Sequence, residues 1–534
     1  MNRLIVRSLN LVRCKSVCVL ALIAIASPLK AQSVPSDSDP SKPDFSNARK
    51  LIQDRMITES IPSFSIAVAR KGKILWEESF GFADRENRVP ATKDTLYYLA
   101  SVTKSITATS IMVLNERKQL DIDRPINDYL GSARLSSPRW NVNDATVRRV
   151  ATHTAGLTTF VQNRFGVPVN FRFSQNQIIR RYGVVFWPPG DHFDYSNLGY
   201  GILGEVVGRV SGKRYDAFLR DEIFRPLGMT HAAFDLSPAL EKLAAKRYSS
   251  EFGHRPRAAS ATPGASTIYC SAHDLLQFGM FHLKTHRPDQ KAILSDVTID
   301  LMQNATVEVG DGGLYGFGWW VKENLYGYRS VLGQGGTNDA SASLQLIPTE
   351  GLVVVALANT GTTLPGDVIH EVLSTLLPSY REKRAEALGK EQKQRPAATV
   401  PSKSMVGNWT GFIRTFRGKL PLALSISPLG DVQGRLGSQP ATPLKNQRFE
   451  KERLTGIMGG ELSTADDTGS DPYDLDFELY LRGHELNGAV TTRPQPGAKH
   501  FTRLPFWVEL QKLKTRSAAK VEVISPTPRE RRTL

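Results

Sequence analysis

The sequence predicts an α+β protein: an antiparallel sheet flanked by helices and split by a helical insertion, followed by a small C-terminal antiparallel β-barrel or sandwich. Three observations predict it. Two β-hairpin signals stand at the two ends of a largely helical segment, a charged and then Pro-rich stretch follows the second of them, and beyond that stretch the apolar residues alternate and the helical period disappears. A chain of 534 residues exceeds the ~100–200 of one ordinary domain, so two folded parts with flanking segments are expected. A hydrophobic fraction of 40% with 23 Phe, 15 Tyr and 7 Trp is enough to fill real cores and excludes a chain dominated by disorder.

The first element is a leader. Arg3, Arg7, Arg13 and Lys15 precede an apolar run from Val17 to Ala26, with Pro28 and then the small Ala31 behind it, which reads as a secretory signal peptide over residues 1–31. The run is about ten residues against the ~20 needed to span a bilayer, so no transmembrane anchor is expected after leader removal. A secreted or periplasmic location follows as an expectation. Cys14 and Cys18 fall in the leader, leaving Cys270 without a disulfide partner and best read as a small core residue. The net charge of +16 sits partly in the leader and in a basic, flexible tail at 514–534, and no nucleic-acid motif accompanies it, so no nucleic-acid partner is expected.

The second element covers residues 43–380. SFSIAVARKGKILWEESF, from Ser63 to Phe80, holds two β-rich runs around a Lys71-Gly72-Lys73 turn. ASLQLI and LVVVALAN, ending at Ile347 and Asn359, flank a Pro348-Thr349-Glu350-Gly351 turn. A helix-like stretch from Asp367 to Leu377 closes this part. Residues 381–404, charged and then Pro-rich, have linker composition. In residues 405–513 the runs Leu420, Leu422, Leu424, Ile426 and Leu475, Phe477, Leu479, Leu481 alternate with smaller or polar residues, the pattern of half-buried strands in a barrel or sandwich.

Candidate chemistry lies in the second element. Ser101-Val102-Thr103-Lys104 opens an apolar-periodic helix, which puts the serine and lysine on one face. The pair can serve as nucleophile and base only if the amine is neutral, and both desolvation and the helix N-terminus push the lysine that way from its ordinary ~10.4. The same spacing recurs at Ser27 to Lys30 and at Ser517 to Lys520, but only the Ser101 copy begins a long apolar helix inside a folded segment. Downstream, Tyr195-Ser196-Asn197 follows a Pro-Pro-Gly turn and precedes a second apolar helix. A tyrosine there can relay protons provided neighbouring cations lower its pKa, and Asn197 can hold Lys104 or a substrate carbonyl, or can serve as a helix cap. VLGQGGTNDASASLQLI supplies a glycine-rich strand entry whose backbone can approach a ligand closely and offer N–H groups to an oxyanion.

The three signals in this order resemble the serine β-lactamase and penicillin-binding superfamily, and most closely its class C branch, with D-Ala-D-Ala carboxypeptidase, D-aminopeptidase and esterase relatives. THTAGL from Thr152, PPGDHFDYSN and RPLGMTHAAF are similar to phrases of that branch, and the resemblance covers roughly residues 45 to 380. It implies a β-lactamase-like fold, Ser101 as nucleophile, Lys104 and Tyr195 as proton carriers, and Asn197, Gln334, Gly335, Gly336 and Thr337 as substrate-binding positions. The Ser101 N–H and one from the strand near Thr337 would form the oxyanion hole, and His153 reads as structural. No cofactor and no metal are called for, and the partner is a small-molecule or peptide substrate, with a cell-wall source in view. The departure is Gln334, where the family usually carries Lys or His, so esters or neutral amides are favoured over β-lactams and other carboxylates. That missing cation also leaves open a catalytically silent envelope-binding protein that keeps the cleft. The C-terminal part resembles small barrels appended to such enzymes and is expected to shape or cover the cleft.

Overall fold

The computed structural model of the protein describes residues 43–167, 171–251, 253–285, 287–288, 290–310, 312–390, 400–462 and 471–513. The expected leader and basic tail lie outside these residues.

Leu352–Ala358 is LVVVALA, and every position of it is buried. A strand without a polar residue needs cover on both faces, and this one lies inside a sheet of nine antiparallel strands. On one side it pairs with Ala340–Ile347 and on the other with Ser63–Arg70, with Phe64 opposite Ala358 and Arg70 opposite Leu352. The two hairpins seen in the sequence therefore join into one sheet across the inserted helices. Lys71 and Gly72 both take positive φ, 50° and 76°, the conformation that a two-residue hairpin turn requires.

Side-chain alternation divides the cover between two layers. Ile66, Val68, Val354 and Ala356 pack with Ala48 and Ile52 of helix Ser46–Thr58 and with Val368 and Val372 of helix Leu364–Leu376. Ala67, Ala69, Val353, Val355 and Leu357 face the larger core, which contains helices Thr103–Glu116 and Ala272–His282. Helix Thr103–Glu116 is buried without interruption from Thr103 to Leu114, so its first turn is fixed by packing all round.

A second sheet, also of nine strands, follows. Its two end strands, Thr442–Pro443 and Lys445–Glu450, are joined through the single buried residue Leu444, which makes it a nearly closed barrel. Leu475, Phe477 and Leu479 point into its core while their neighbours do not. The fold class read from the sequence is thus the one observed.

The expected linker differs in its first part. Pro378–Lys390 is a helix, with Tyr380 buried against the His370 ring. The charged run REKRAEALGK consists largely of good helix formers, and an apolar anchor at Tyr380 is enough to dock it. Residues 391–399 lie outside the described residues.

The barrel is continuous with the first part. Phe501–Arg503 pairs with Val161–Phe165, which in turn pairs with Ala258–Ser260. Phe186 and Trp187 pack against Ala489 and Trp507, and Arg139 pairs with Glu485. No helix among the described residues is long and apolar enough to cross a membrane.

Candidate active site

Ser101 sits in a short 3-10 turn, Ala100–Val102, that runs directly into helix Thr103–Glu116. Ala100 has φ of +45°, a strained value for a residue with a Cβ, and such strain persists only where the surroundings impose it. Here the constraint is the neighbouring strand. A Cβ added at Gly335 would lie 2.3 Å from the Leu99 carbonyl oxygen and 2.7 Å from the Ser101 nitrogen, so the glycine is what lets the strand and the serine turn meet.

That contact leaves a backbone edge free. Strand Tyr328–Thr337 pairs with Trp320–Leu325 only as far as Leu332, opposite Trp320, whereas it pairs with Ala340–Ile347 through to Thr337. Residues 333–337 therefore have one edge without a strand partner among the described residues, beside the Ser101 N–H. Gly336 and Thr337 line the adjoining cavity. Gln334 is exposed and forms no part of that cavity wall.

Lys104 is 2% exposed, and its Nζ lies 2.9 Å from Ser101 Oγ, 2.7 Å from Asn197 Oδ1 and 3.1 Å from the Ala265 carbonyl oxygen. Burial, with no carboxylate to offset it, holds this amine well below the ordinary lysine range. A neutral amine has two N–H donors and one lone pair. Asn197 Oδ1 and the Ala265 carbonyl can only accept, so they take the two donors and leave the lone pair for the Ser101 hydroxyl.

Asn197 is free for this because Ser196 caps the helix Asn197–Ser211, its hydroxyl accepting from the Gly199 N–H at 3.1 Å. The capping alternative for Asn197 thus falls to its neighbour. His153 is buried with φ of +60°, and its Nδ1 accepts the Ser196 N–H at 3.0 Å. Burial holds His153 well below its usual range, so it is a neutral ring pinning the Tyr195-Ser196-Asn197 turn. Asp194 anchors the same turn: its N–H donates to the His153 carbonyl at 2.8 Å, and its carboxylate accepts from Trp187 Nε1 at 2.7 Å.

Tyr195 lies over the amine, with Lys104 Nζ 4.7 Å from its ring centroid, and its phenol hydrogen-bonds Ser101. One sequence expectation is corrected here. Cations do not lower this phenol; burial pushes it up to about 12, with the Ser101 hydrogen bond only partly opposing. The lysine that was to supply the charge is itself neutral, so Tyr195 is a protonated donor over the whole physiological range.

The sequence reading missed Arg247 and Asp339, a buried ion pair at 2.7 Å in the wall of the same cavity. Asp339 follows two residues behind Thr337, whose hydroxyl donates to its Oδ1 at 2.7 Å. Nothing in the sequence near Arg247 marks it, because the partners that hold it, Tyr98 and Asp339, are distant in the chain. Cys270 is a buried free thiol with its pKa raised by burial, in keeping with a plain core residue. No group of His, Cys, Asp and Glu that could hold a metal ion occurs among the described residues.

Ser101, the desolvated Lys104, the protonated Tyr195 phenol and the strand edge at 333–337 thus meet at one point. The family model described as Beta-lactamase matches residues 48–375, and the chain belongs to that family. Among curated proteins it is 27% identical to PbpX of Bacillus subtilis (strain 168) over 277 residues, which is 50% of this chain and 63% of that protein. It is also 27% identical to the unguisins hydrolase ungD' of Aspergillus campestris (strain IBT 28561) over 419 residues, 70% of this chain and 76% of that one. The chain spans 62–63% of the length of the first curated relatives it matches. Among solved structures, the octameric penicillin-binding protein homologue from Pyrococcus abyssi superposes with a TM-score of 0.56 at 21% identity, covering 86% of this chain and 100% of that one. Class C β-lactamase structures share the fold at TM-scores of 0.51–0.52.

Proposed function

We propose that the protein is an exported serine hydrolase that cleaves an ester or amide through an acyl-serine intermediate. The observation that carries this reading is the buried Lys104 Nζ 2.9 Å from the Ser101 hydroxyl, with burial favouring its neutral form. In the proposed cycle Ser101 Oγ attacks the acyl carbon while its proton passes to Lys104 Nζ. The oxyanion is met by the Ser101 N–H and by the free strand edge at 333–337. The Tyr195 phenol protonates the leaving group as the acyl–leaving-group bond breaks, and the lysine ammonium returns its proton to the phenolate. Water then attacks the acyl ester by the reverse proton route, releasing the acid and free Ser101. Asn197 holds the amine in register, and Gly336 and Thr337 line the acyl site. The neutral Gln334 supports esters and neutral amides over β-lactams. Residues 1–31 support export to a secreted or periplasmic location, where a cell-wall-derived peptide would be within reach.

The test is labelling with a fluorophosphonate and with a fluorescent penicillin, followed by intact-mass measurement and peptide mapping. A Ser101 adduct that is lost in Ser101→Ala is expected, with turnover falling about 10³-fold or more. No adduct with either probe, and no ester turnover, would leave a silent envelope-binding protein as the better reading.

A further inference from the structure

The cavity at Ser101 has a volume of about 690 Å³, and its walls come from both parts of the molecule. Tyr98, Arg247 and Thr337 stand near Ser101; Lys445, Ile457 and Arg493, from the C-terminal barrel, stand across from them. Cavities of ~300–1,000 Å³ hold ligands of drug size, so a short acyl group would leave most of this one empty. The two walls are tied together, since the Gly497 N–H of the barrel donates to Glu251 Oε1 at 3.2 Å.

Arg247 is the buried group in this cavity that the acyl-transfer chemistry does not use. It is 6% exposed and stacks its guanidinium on Tyr98 at 4.3 Å. Nε and Nη2 both donate to one oxygen of Asp339, at 3.2 and 2.7 Å, while the other oxygen takes the Thr337 hydroxyl. Nη1 bonds to no described group and is not sealed from the cavity. The guanidinium therefore lines the cavity that Ser101 also lines, with Nε and Nη2 committed to Asp339.

Its charge is already met. An arginine paired to a buried carboxylate offers a directed donor with little net field, which suits a carbonyl oxygen; a second carboxylate there would face Asp339 at close range. Position 334 adds no cation to change this. On the far wall Arg493 lies opposite Asp474 in the strand register, and Lys445 adds one further cation, so that surface is polar with charges of both signs. We infer that the substrate is a peptide-like chain cleaved at an internal bond, with one of its backbone carbonyls held by Arg247 and the rest of the chain running along the C-terminal barrel. The inference rests on the reading of Ser101 as the acylated residue, and it makes the barrel part of the specificity site.

Binding can be measured without turnover on full-length Ser101→Ala by calorimetry. The probes are N-acetyl-tetra-alanine amide, in L and D forms, and N-acetyl-di-alanine with a free carboxylate. The capped tetrapeptide in one of its two forms is expected to bind at least about tenfold more tightly than the dipeptide acid, the scale of one hydrogen bond from a charged donor. Because Arg247→Met alone would strand Asp339, the diagnostic variant adds Arg247→Met together with Asp339→Asn, and the preference should vanish. Arg493→Ala, at an exposed position, should also lower the preference. A dipeptide acid that binds as well as the tetrapeptide, or a preference that survives the paired change, overturns the inference. If short esters acylate Ser101 in the unmutated chain but no tetrapeptide preference exists, the inference fails and the hydrolase reading stands. If the tetrapeptide binds through Arg247 but Ser101 is never acylated, the hydrolase reading fails and the recognition site stands.

Discussion

The two nine-stranded sheets of this protein bury their residues differently. In Leu352–Ala358 both parities are buried, because helices cover each face; in Val432–Leu436 only Val432, Gly434 and Leu436 are buried, and Gln433 and Arg435 face out. The first sheet is a fixed plate on which small displacements are resisted from both sides. The second closes around its own core; its outer face packs against Phe186 and Trp187 at Ala489 and Trp507 but is polar along Val432–Leu436, and another part of that face is the far wall of the cavity. On the proposed reading, the chemistry is built on the turn and helix packed against the plate, and recognition on the barrel face that lines the cavity. Each prediction below breaks or sharpens that division.

The largest effect is expected where the plate meets the amine. Lys104→Arg puts a permanent cation where a neutral amine stood and cannot supply a lone pair, so turnover should fall about 10³-fold or more. The same argument fixes the pH dependence. Lys104 must be neutral, and its pKa lies well below the ordinary lysine range, so kcat/KM should rise with pH through that depressed value and then level off. The Tyr195 phenol, pushed up to about 12, must stay protonated, so no falling limb is expected below about pH 11. Stability at this site follows the same sign: unfolding protonates the lysine, so the unfolded chain binds more protons and stability should increase with pH up to the ordinary lysine range. A rate profile that falls between pH 8 and 10 would contradict the assignment of Tyr195 as donor.

The next effect contrasts two adjacent glycines. Gly335→Ala would press a methyl group against the Leu99 carbonyl and the Ser101 nitrogen, and both are backbone atoms that cannot swing away. A stability loss of about 1–3 kcal/mol or more is expected, with turnover lost because the serine turn must move. Gly336→Ala meets nothing within 4 Å, so stability should change by less than about 0.5 kcal/mol. Chemical denaturation of both variants decides the point, and equal losses would show that the plate is not held where the geometry places it.

How much of this was legible in the sequence depends on how local each feature is. Both hairpins, the Ser101 helix and the Tyr195-Ser196-Asn197 turn are short-range patterns, and the structure brings them together at one point. Ala100's strain and Gly335's clearance were not legible, because each depends on the close approach of the serine turn and a strand more than 200 residues away in the chain. Arg247 was invisible for the same reason. The charged run at 381–390 misled in the opposite direction, since composition suited to a linker is also composition suited to a solvent-exposed helix. Tyr195 shows the limit most clearly: its identity and place could be read, but the sign of its pKa shift depends on burial, which spacing does not report.

The remaining effects, read on stability and expected to leave turnover least changed, test the comparison itself. In the plate, alanine at Val353, Val354 or Val355 removes buried methyl groups from one layer or the other, and each should cost about 2 kcal/mol whichever face it serves. In the barrel strand the cost should alternate. Leu436→Ala is expected to lose about 2–5 kcal/mol, whereas Gln433→Ala and Arg435→Ala, which point away from that core, should change stability by less than about 0.5 kcal/mol. Denaturant midpoints at unchanged slope would measure all of these on one scale. A uniform cost along Val432–Leu436 would mean that the barrel's outer face is also packed, and then its cavity wall could not adjust to a substrate; an alternating cost keeps that wall free to be read by the chain it binds.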